Sequence, residues 1–278
     1  MAGGLGGVFS LTVLRPEAGA ADPAPVAGVK PLKALLVIGG CCHDYSKQKD
    51  LLKAGLEARA NIIVDIAYSP DSSTKPKFEA YLKDNWSAGY DVIIHDECAA
   101  DVKETEYLEN ILAAHKNGIP GVNLHCAMHC YRVGDFQRPV TPGTRDAMWF
   151  DYIGLQSTGH GPQEPIEVTI VDKAHPSMAK AADWTTIKEE LYNNISLLNA
   201  HALAKGKQKI KSKDGTEKEV ETVVAWTNEY GPKKTRVWST TLGHNSETVA
   251  DPRYLDMVTD GLLWSVDKLN DQYRKAAK

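Results

Sequence analysis

The sequence predicts a flavodoxin-like α/β fold, namely a doubly wound, mostly parallel sheet with helices on both faces and a late antiparallel hairpin. The first observation is an apolar run at residues 34–38 that ends in Gly39-Gly40, which is typical of a strand buried on both faces of a parallel sheet. The second is the alternation of strand and helix patterns up to residue 124, because parallel strands need crossovers that are usually helical. The third is a hydrophobic content of 42% in 278 residues, which is ordinary for a globular domain.

The first half of the chain contains four predicted strands in regular alternation with helical patterns. Apolar residues at helical spacing predict helices, and short apolar runs bounded by turn residues predict strands. In chain order, the predictions are a strand at 34–38, a helix at 49–60, a strand at 61–67, a short amphipathic segment at 78–86, a strand at 90–94, a helix at 104–116 and a strand at 121–124.

The second half is less regular. Residues 222–226 and 235–240 form a predicted antiparallel pair, because the segment between them is rich in turn residues. The charged segment 205–221 is expected to be a solvated hairpin tip or a flexible loop. The remaining predictions are a strand at 166–171, a short helix or turn at 175–181, no assignment for 200–204, and a last helix at 252–268 with one broad apolar face.

Charge and hydropathy narrow the classes of partner. The formal net charge of −4 gives no broad basic field, so neither nucleic acid nor an anionic membrane is an expected partner. No apolar run approaches the roughly 20 residues of a membrane span. A small solute is therefore the expected ligand, and a homo-oligomer is compatible with the sequence.

The N-terminal segment has features of an export signal without being a regular one. A short apolar stretch at 7–14 precedes Ala18-Gly19-Ala20, which suits a signal peptidase, but Arg15 and Glu17 intervene and a positive n-region is missing. We expect residues 1–30 to be a disordered tail or a degraded export signal, outside a single domain at 31–278. The protein is exported to the periplasm if this segment is a signal remnant, and cytoplasmic otherwise.

The five cysteines are not spaced like the disulfide framework of a small secreted domain, so we expect them to be thiols. Each follows a predicted strand. They are small buried side chains in one interpretation, and reactive or metal-bound sulfur in the other. The cysteines are Cys41, Cys42, Cys98, Cys126 and Cys130.

Histidines cluster at the predicted strand ends. Ligands of open α/β sheets bind outside the carboxyl ends of the strands. Several imidazoles at one such edge indicate a divalent ion, an acid/base site, or both. Asp44, Asp96 and Glu97 could then be ligands or could orient imidazoles. The histidines at or near these ends are His43, His95, His125, His129 and His244.

Three further segments have two interpretations each. The pair His125 and His129 could share one face of a helix and one ion, but no Glu follows His125 as in a metalloprotease helix. Residues 189–192 are either a solvated helix face or a carboxylate and phenol presented to the site. His160, in a glycine-containing loop at 158–162, is a lid residue or part of a turn. His115, His175 and His201 look incidental.

The absence of two glycine motifs limits the cofactors. No G-x-G-x-x-G follows the first strand, and no G-x-x-x-x-G-K-[ST] occurs in the sequence. We therefore expect no nucleotide cofactor.

The order of these landmarks resembles the ThuA-like (trehalose utilisation) family, whose fold is that of class I glutamine amidotransferases. The resemblance covers residues 32–268. Any one landmark is weak, but their order makes the match specific. The landmarks are His43 after the first strand, H-D-E at 95–97, His125 with His129, E-E-x-Y at 189–192, and R-V-x-x-x-x-L-G-H at 236–244.

The resemblance implies carbohydrate metabolism, 3-keto-glycosides and a divalent metal, for which zinc is the expected ion. It also implies roles for individual residues. Carried over position by position, these are the metal ligands His43, His125 and His244, the catalytic residues Asp96, His129, Glu190 and Tyr192, and the substrate-binding residues His95, Glu97, His160 and Asn245.

The leading hypothesis is an enzyme that acts on a keto-sugar or 3-keto-glycoside by elimination, hydrolysis or isomerisation. A keto group acidifies the neighbouring C–H, so a base and a Lewis acid are sufficient for such chemistry. One alternative is a non-catalytic sugar-binding or pathway-accessory protein that uses some of the six tryptophans as stacking faces. Another alternative is a cysteine hydrolase of the amidotransferase type with Cys126 as nucleophile. It is less favoured because the flanking glycines of a nucleophile elbow are absent.

Overall fold

The computed structural model describes residue 1 and residues 28–211 and 215–275. Its strands and helices alternate through the first half and give way to long strands in the second. The strands are β1 (Leu32–Gly40), β2 (Ile62–Ser69), β3 (Val92–Cys98), β4 (Gly121–Leu124), β5 (Leu155–Ile170), β6 (Trp184–Leu197), β7 (His201–Lys211), β8 (Glu217–Tyr230) and β9 (Thr235–Thr240). The α-helices are α1 (Tyr45–Arg59), α2 (Thr105–Lys116), α3 (Met148–Ile153), α4 (Ser246–Val249) and α5 (Pro252–Ser265).

All nine strands belong to one sheet with the order β2-β1-β3-β4-β9-β8-β7-β5-β6. The first five strands in this order, β2, β1, β3, β4 and β9, pair in parallel. Alternate residues of β1 enter two different cores, as the two-residue period of a strand requires. Leu36 packs in a core with α1 and α5, whereas Val37 packs in a core with α2 and α3. The predicted doubly wound α/β sheet is confirmed.

The antiparallel half is larger than the predicted hairpin. Strands β5 to β8 add to β9 and extend the sheet by four members, all in antiparallel pairs. For the segment 205–221, the hairpin interpretation is confirmed and the flexible loop is wrong for the described residues, because β7 and β8 pair in antiparallel register up to Lys211 and Glu217. Cross-strand ion pairs such as Lys205 with Glu221 and Lys207 with Glu219 hold this solvated ladder together.

Two candidate site segments have a different secondary structure from the predicted one. Residues 189–192 lie in β6 and not on a helix, and His160 lies in β5 and not in a flexible loop. His160 is directly paired with Tyr192 across these strands. The register shifts repeatedly along this part of the pair, so β5 is irregular there.

Several element boundaries were predicted closely. Strands β4 and β9 begin and end at the predicted residues, whereas the predicted last helix ends earlier, at Ser265. A 3₁₀ helix at Pro176–Met178 confirms the predicted short helix or turn at 175–181, and the short amphipathic segment at 78–86 contains another 3₁₀ helix at Glu79–Leu82.

Residues 2–27 lie outside the described residues, so the expectation of a disordered tail or degraded export signal stays a prediction, as does the domain start at 31. Within the described ranges, no helix is both long and apolar enough to cross a membrane.

Candidate functional site

Four side chains from distant parts of the chain converge at the carboxyl edge of the parallel strands. His43 follows β1, His125 follows β4 and His244 follows β9, while Glu190 reaches the same point from β6. One donor atom from each lies within 4.8 Å of the others. We call His43, His125, Glu190 and His244 the His/Glu cluster. The structure thus brings together the three histidines predicted as metal ligands and adds Glu190 to them.

The nitrogen atoms of the His/Glu cluster are closely spaced. His125 Nε2 lies 3.0 Å from His43 Nε2 and 3.3 Å from His244 Nδ1, and the latter two atoms are 3.1 Å apart. Glu190 Oε2 lies 3.3 Å from His244 Nδ1 and 3.6 Å from His125 Nε2. Four potential ligand atoms therefore surround one point.

Backbone carbonyls fix which ring nitrogens carry protons. A carbonyl only accepts, so His43 Nδ1 donates to Cys41 O at 3.2 Å and His125 Nδ1 donates to Thr241 O at 2.7 Å. In the neutral rings, each Nε2 then carries no proton and presents its lone pair. The two lone pairs face each other at 3.0 Å, an arrangement that requires a proton or a cation between them.

The electrostatics keep two of the rings neutral. Burial, with the charge of His244, lowers the pKa of His43 to about 4. Burial and the neighbouring His43 lower the pKa of His125 well below its usual value. Burial also acts to lower the pKa of His244, but the hydrogen bond with Glu190 and the charges of Glu190 and Glu189 together outweigh it and raise that pKa. Neutral imidazoles and an ionised carboxylate are the forms in which these side chains bind metals.

A second group of polar side chains adjoins the His/Glu cluster. The Tyr192 hydroxyl lies 3.4 Å from His125 Nε2, and the Tyr192 ring stacks on His129 with centroids 4.2 Å apart. His129 Nε2 lies 2.9 Å from the hydroxyl of Ser157. His129 therefore faces Ser157 and Tyr192 and is not part of the His/Glu cluster, so the structure does not support joint ligation of one ion by His125 and His129.

His160 is the most exposed member of this second group, with 44% of its side chain accessible. Its Nδ1 donates to Gly161 O at 2.9 Å and lies 3.5 Å from Glu190 Oε1. Glu190 therefore faces the three histidines with one oxygen and His160 with the other. This arrangement leaves Nε2 of a neutral His160 unprotonated.

Not all of the predicted site residues reach the cluster. His95 and Glu97 are completely buried on one face of β3, where Tyr81 and Tyr131 donate to Glu97 Oε1. A substrate cannot contact them, so the expectation that they bind substrate is not supported. Asp96 points to the opposite face and is 4% exposed, and burial raises its pKa well above the usual value.

Glu189 positions the loop that carries His244, a role that the sequence did not reveal. Its carboxylate accepts from the backbone N–H groups of His244 at 3.1 Å and of Asn245 at 3.4 Å. The Asn245 side chain donates to Lys188 O, so Asn245 ties the same loop to β6. In the sequence, the only signal for Glu189 was its place in the E-E-x-Y segment.

His125 occupies a strained backbone position. Its φ of 41° lies in the left-handed region, immediately after β4. Such strain is characteristic of functional sites, including the strand-to-helix elbow of nucleophilic hydrolases. Here the residue at this position is a histidine, while the neighbouring Cys126 is buried and paired with Cys98. This pairing disfavours Cys126 as a nucleophile.

The cysteines also correct a prediction. Cys41 is disulfide-bonded to Cys42, and Cys98 to Cys126, so the expectation of thiols is wrong for these four. Cys130 is a free, buried thiol, as expected. Strands β1, β3 and β4 end side by side, which brings their terminal cysteines together.

An open cavity of 510 Å³ lies over His43 and His244 and is lined by polar residues, including Asp44 and Lys47. It gives solvent access to the His/Glu cluster. A second cavity of the same volume, beside Trp184 and α5, contains no histidine among its lining residues.

Comparison with known proteins identifies the family. Residues 33–265 match the ThuA family, described as trehalose utilisation. The chain belongs to the ThuA family. This membership confirms the resemblance and indicates a carbohydrate-related role. No curated protein matches the chain.

Solved structures agree with ThuA membership at the level of the fold. A ThuA-like protein from Parabacteroides merdae is 19% identical, with a TM-score of 0.63 over 85% of this chain and 90% of that one. A ThuA-like protein from Bacteroides uniformis is 17% identical, with a TM-score of 0.55 over 87% and 94%. A β-galactosidase from Rahnella sp. R3 is 14% identical, with a TM-score of 0.51, but only 31% of that chain is covered.

Proposed function

We propose that this ThuA-family protein is a divalent-metal-assisted enzyme that acts on a keto-sugar or 3-keto-glycoside by acid/base chemistry. The observation that carries the proposal is the convergence of three imidazole nitrogens and one carboxylate oxygen around one point. The family supports a carbohydrate as the substrate class.

The donor set fits a borderline-soft divalent ion such as zinc. Three histidines and a carboxylate are ordinary zinc ligands, at distances of about 2.0–2.2 Å. The nitrogen atoms, 3.0–3.3 Å apart, are close enough to share one such ion. The carbonyls of Cys41 and Thr241 orient two of the rings from behind, as outer-shell partners of metal-bound histidines do.

A metal ion held by His43, His125, Glu190 and His244 would supply Lewis-acid polarisation of a substrate carbonyl oxygen. The protein itself supplies the proton transfers. His160 is exposed and its Nδ1 faces Gly161 O, so Nε2 is the ring nitrogen placed to accept a proton from the acidic C–H beside the keto group. The remote Glu190 oxygen faces His160 Nδ1 and orients the ring.

Tyr192 is suited to the opposite role. Burial, with the charge of Glu190, raises the pKa of its hydroxyl well above the usual value, so the proton stays on the oxygen near neutral pH. The hydroxyl points toward His125 and can donate to an oxygen that develops negative charge there. A base at His160 and an acid at Tyr192 support elimination, isomerisation or hydrolysis of an oxidised sugar.

Most of the tryptophans do not favour the non-catalytic sugar-binding alternative. The side chains of Trp86, Trp149, Trp226 and Trp238 are buried in the core. One ring face of Trp264 is covered by the guanidinium group of Arg236, and one face of Trp184, which lines the second cavity, by that of Arg253.

The test is elemental analysis of the purified protein together with turnover of a 3-keto-glycoside. We expect near-stoichiometric divalent metal in the natural sequence, and loss of both metal and turnover in His43→Ala, His125→Ala and His244→Ala. Chelation should abolish turnover, and zinc should restore it. His201→Ala is the matched control, because this exposed histidine pairs with Asp172 away from the cluster.

Circular dichroism and thermal melting establish that each variant is folded. Absence of metal after reconstitution with zinc would overturn the metal site. If the protein binds zinc on reconstitution but keeps full turnover after a chelator has removed the metal, the metal site stands and only the metal-assisted reaction is overturned.

A further inference from the structure

Four sulfur atoms form a contiguous group beside the His/Glu cluster. Cys41 and Cys42 follow β1, Cys98 ends β3 and Cys126 follows β4. The two disulfides are not isolated from each other, because Cys41 Sγ lies 3.4 Å from Cys98 Sγ. We call Cys41, Cys42, Cys98 and Cys126 the cysteine cluster.

The cysteine sulfurs are close enough to reach a single ion. The sulfurs of Cys41, Cys42 and Cys98 lie within 4.8 Å of one another. With a Zn–S distance of about 2.3 Å, two sulfurs on one ion are at most about 4.6 Å apart. The 3.4 Å between Cys41 Sγ and Cys98 Sγ is within this limit, and reduction frees the bonded sulfurs to separate. Cys98 is the central donor, because it is bonded to Cys126 and lies next to Cys41.

We propose that the cysteine cluster, in its reduced dithiol state, is a second metal site that takes a thiophilic cation such as Zn²⁺, Cd²⁺ or Cu⁺. Thiolates select these ions over Mg²⁺ or Ca²⁺, which prefer oxygen ligands. The site is distinct from the His/Glu cluster in its donor type, and the proposal does not depend on the proposed function.

Burial and access are consistent with such a site. Cys41, Cys98 and Cys126 are each less than 9% exposed and lie in the same apolar core as Leu124. Cys42 is exposed, with a left-handed φ of 81°, and lines the open cavity. An ion can therefore enter at Cys42 and be held by the buried sulfurs behind it.

Reduction can reach the buried pair through the same residue. A phosphine reductant attacks the exposed Cys42 sulfur, and with water it becomes a phosphine oxide while Cys41 and Cys42 become thiols. The Cys41 thiolate, 3.4 Å from Cys98 Sγ, can then form a Cys41–Cys98 disulfide and release Cys126 as a thiol. The Cys42 thiolate then attacks Cys41, which restores the exposed Cys41–Cys42 disulfide and releases Cys98 as a thiol, and a second phosphine and water reduce that disulfide at Cys42. Each thiol that binds the ion releases its proton to solvent.

The experiment is a Cd²⁺ titration of the full chain, reduced anaerobically with the phosphine and then freed of it. A thiol assay first checks that all five cysteines are reduced. The ultraviolet thiolate-to-cadmium charge-transfer band reports only sulfur ligation, so the His/Glu cluster does not contribute to it. We expect the band to saturate at one equivalent of sulfur-bound Cd²⁺, and to be missing in the unreduced protein.

Variants locate the site. Cys98→Ser should lose the band, and Cys42→Ser, at an exposed position, should bind Cd²⁺ at least about 10-fold more weakly. Cys130→Ser is the matched control, because this buried thiol is outside the cysteine cluster, and it should retain the band. His125→Ala should retain it as well, which separates this result from failure of the proposed function.

A fully reduced, folded protein without the charge-transfer band would overturn the proposal. The proposal would also be overturned if the two single variants, Cys42→Ser and Cys98→Ser, both kept a band of unchanged intensity and affinity.

Discussion

At the scale of single residues, Glu190 connects the two parts of the candidate site. One oxygen faces the three histidines and the other faces His160. Although burial acts to raise the pKa of Glu190, the hydrogen bond with His244 and the nearby histidine charges lower it. The ionised carboxylate can therefore both complete a ligand set and orient a base.

Tyr192→Phe separates proton donation from metal binding. The substitution removes the hydroxyl near His125 but keeps the aromatic ring that stacks on His129. We expect metal content and melting temperature to be retained, while turnover of a 3-keto-glycoside falls about 100-fold, the loss typical of a general acid. Metal analysis and steady-state kinetics measure the two effects. Unchanged turnover would exclude Tyr192 as the proton donor.

Glu189→Gln tests the positioning of the His244 loop. An amide offers one acceptor oxygen in place of two, so one of the backbone N–H groups of His244 and Asn245 loses its partner. We expect metal affinity to fall about 10-fold or more, as for other outer-shell changes. Competition with a chromophoric chelator measures it. The exposed Glu229→Gln should leave the affinity unchanged, and equal affinities in all three proteins would contradict the assignment.

The residues of the site were predictable to the extent that strand ends determine them. His43, His125 and His244 each follow a parallel strand, so the carboxyl-edge rule selected them. The rule could not show that the side chains of His95 and Glu97 lie on the opposite face of β3 from that of Asp96. Successive side chains of β3 point to opposite faces, and both faces of this strand are covered, so the sequence does not show which side chains reach the edge.

At the scale of elements, the junction between β1 and the His43 loop depends on close approach of the backbone. Gly40 has a φ of 110°, and a Cβ added there would collide with the backbone carbonyl of Cys98. Because β1 and β3 are paired at this position, neither strand can move away without loss of ladder hydrogen bonds. This glycine therefore allows the two strands to end side by side at the site.

Gly40→Ala should consequently destabilise the protein strongly. We expect a loss of about 3 kcal/mol or more in the free energy of unfolding, because the steric clash adds to the conformational cost. Gly89→Ala is the matched control. Gly89 has a similar φ of 85°, but no atom lies within 4 Å of the added Cβ, so only about 1–2 kcal/mol should be lost. Urea denaturation compares the two, and equal losses would contradict the role of the close contact.

The antiparallel elements were harder to predict than the parallel ones, for identifiable reasons. Buried strands such as β1 and β3 are marked by continuous apolar runs. Strand β5 contains Gly159, Gly161, Pro162 and Pro165, which are typical of loops, yet the register shifts opposite β6 accommodate them. Strand β7 is rich in lysine because part of it is solvated and its lysines pair with glutamates of β8, so no continuous apolar run marks it as a strand.

At the scale of the whole molecule, buried neutral histidines make stability depend on pH. His115 is completely buried, and its ring stacks on Tyr152. Burial and the neighbouring His95 lower the pKa of His115 well below its usual value. As pH falls below the unfolded-state pKa of about 6.5, the unfolded chain takes up a proton that the folded protein does not, so acid favours unfolding.

His115→Gln should weaken this pH dependence. On unfolding, the variant takes up one proton fewer than the natural sequence. For each pH unit below pH 6.5, its free energy of unfolding should therefore decrease by up to about 1.4 kcal/mol less than that of the natural sequence. Urea denaturation at pH 7 and pH 5, with chelator present, gives the two slopes. The comparison uses the slopes because the lost ring packing also lowers stability at pH 7. Identical slopes would show that His115 is not held neutral.

The His/Glu cluster is also the part of the molecule whose formation needs almost the whole chain. His43 and His244 meet across 201 positions in sequence, and Glu190 comes from the far edge of the sheet. On the ribosome, the strands that carry His43 and His125 emerge long before the segment with His244. Contacts of such high sequence separation form late in folding. The nascent chain can therefore offer only an incomplete set of donors until the segment with His244 has been synthesised and has folded against the earlier strands.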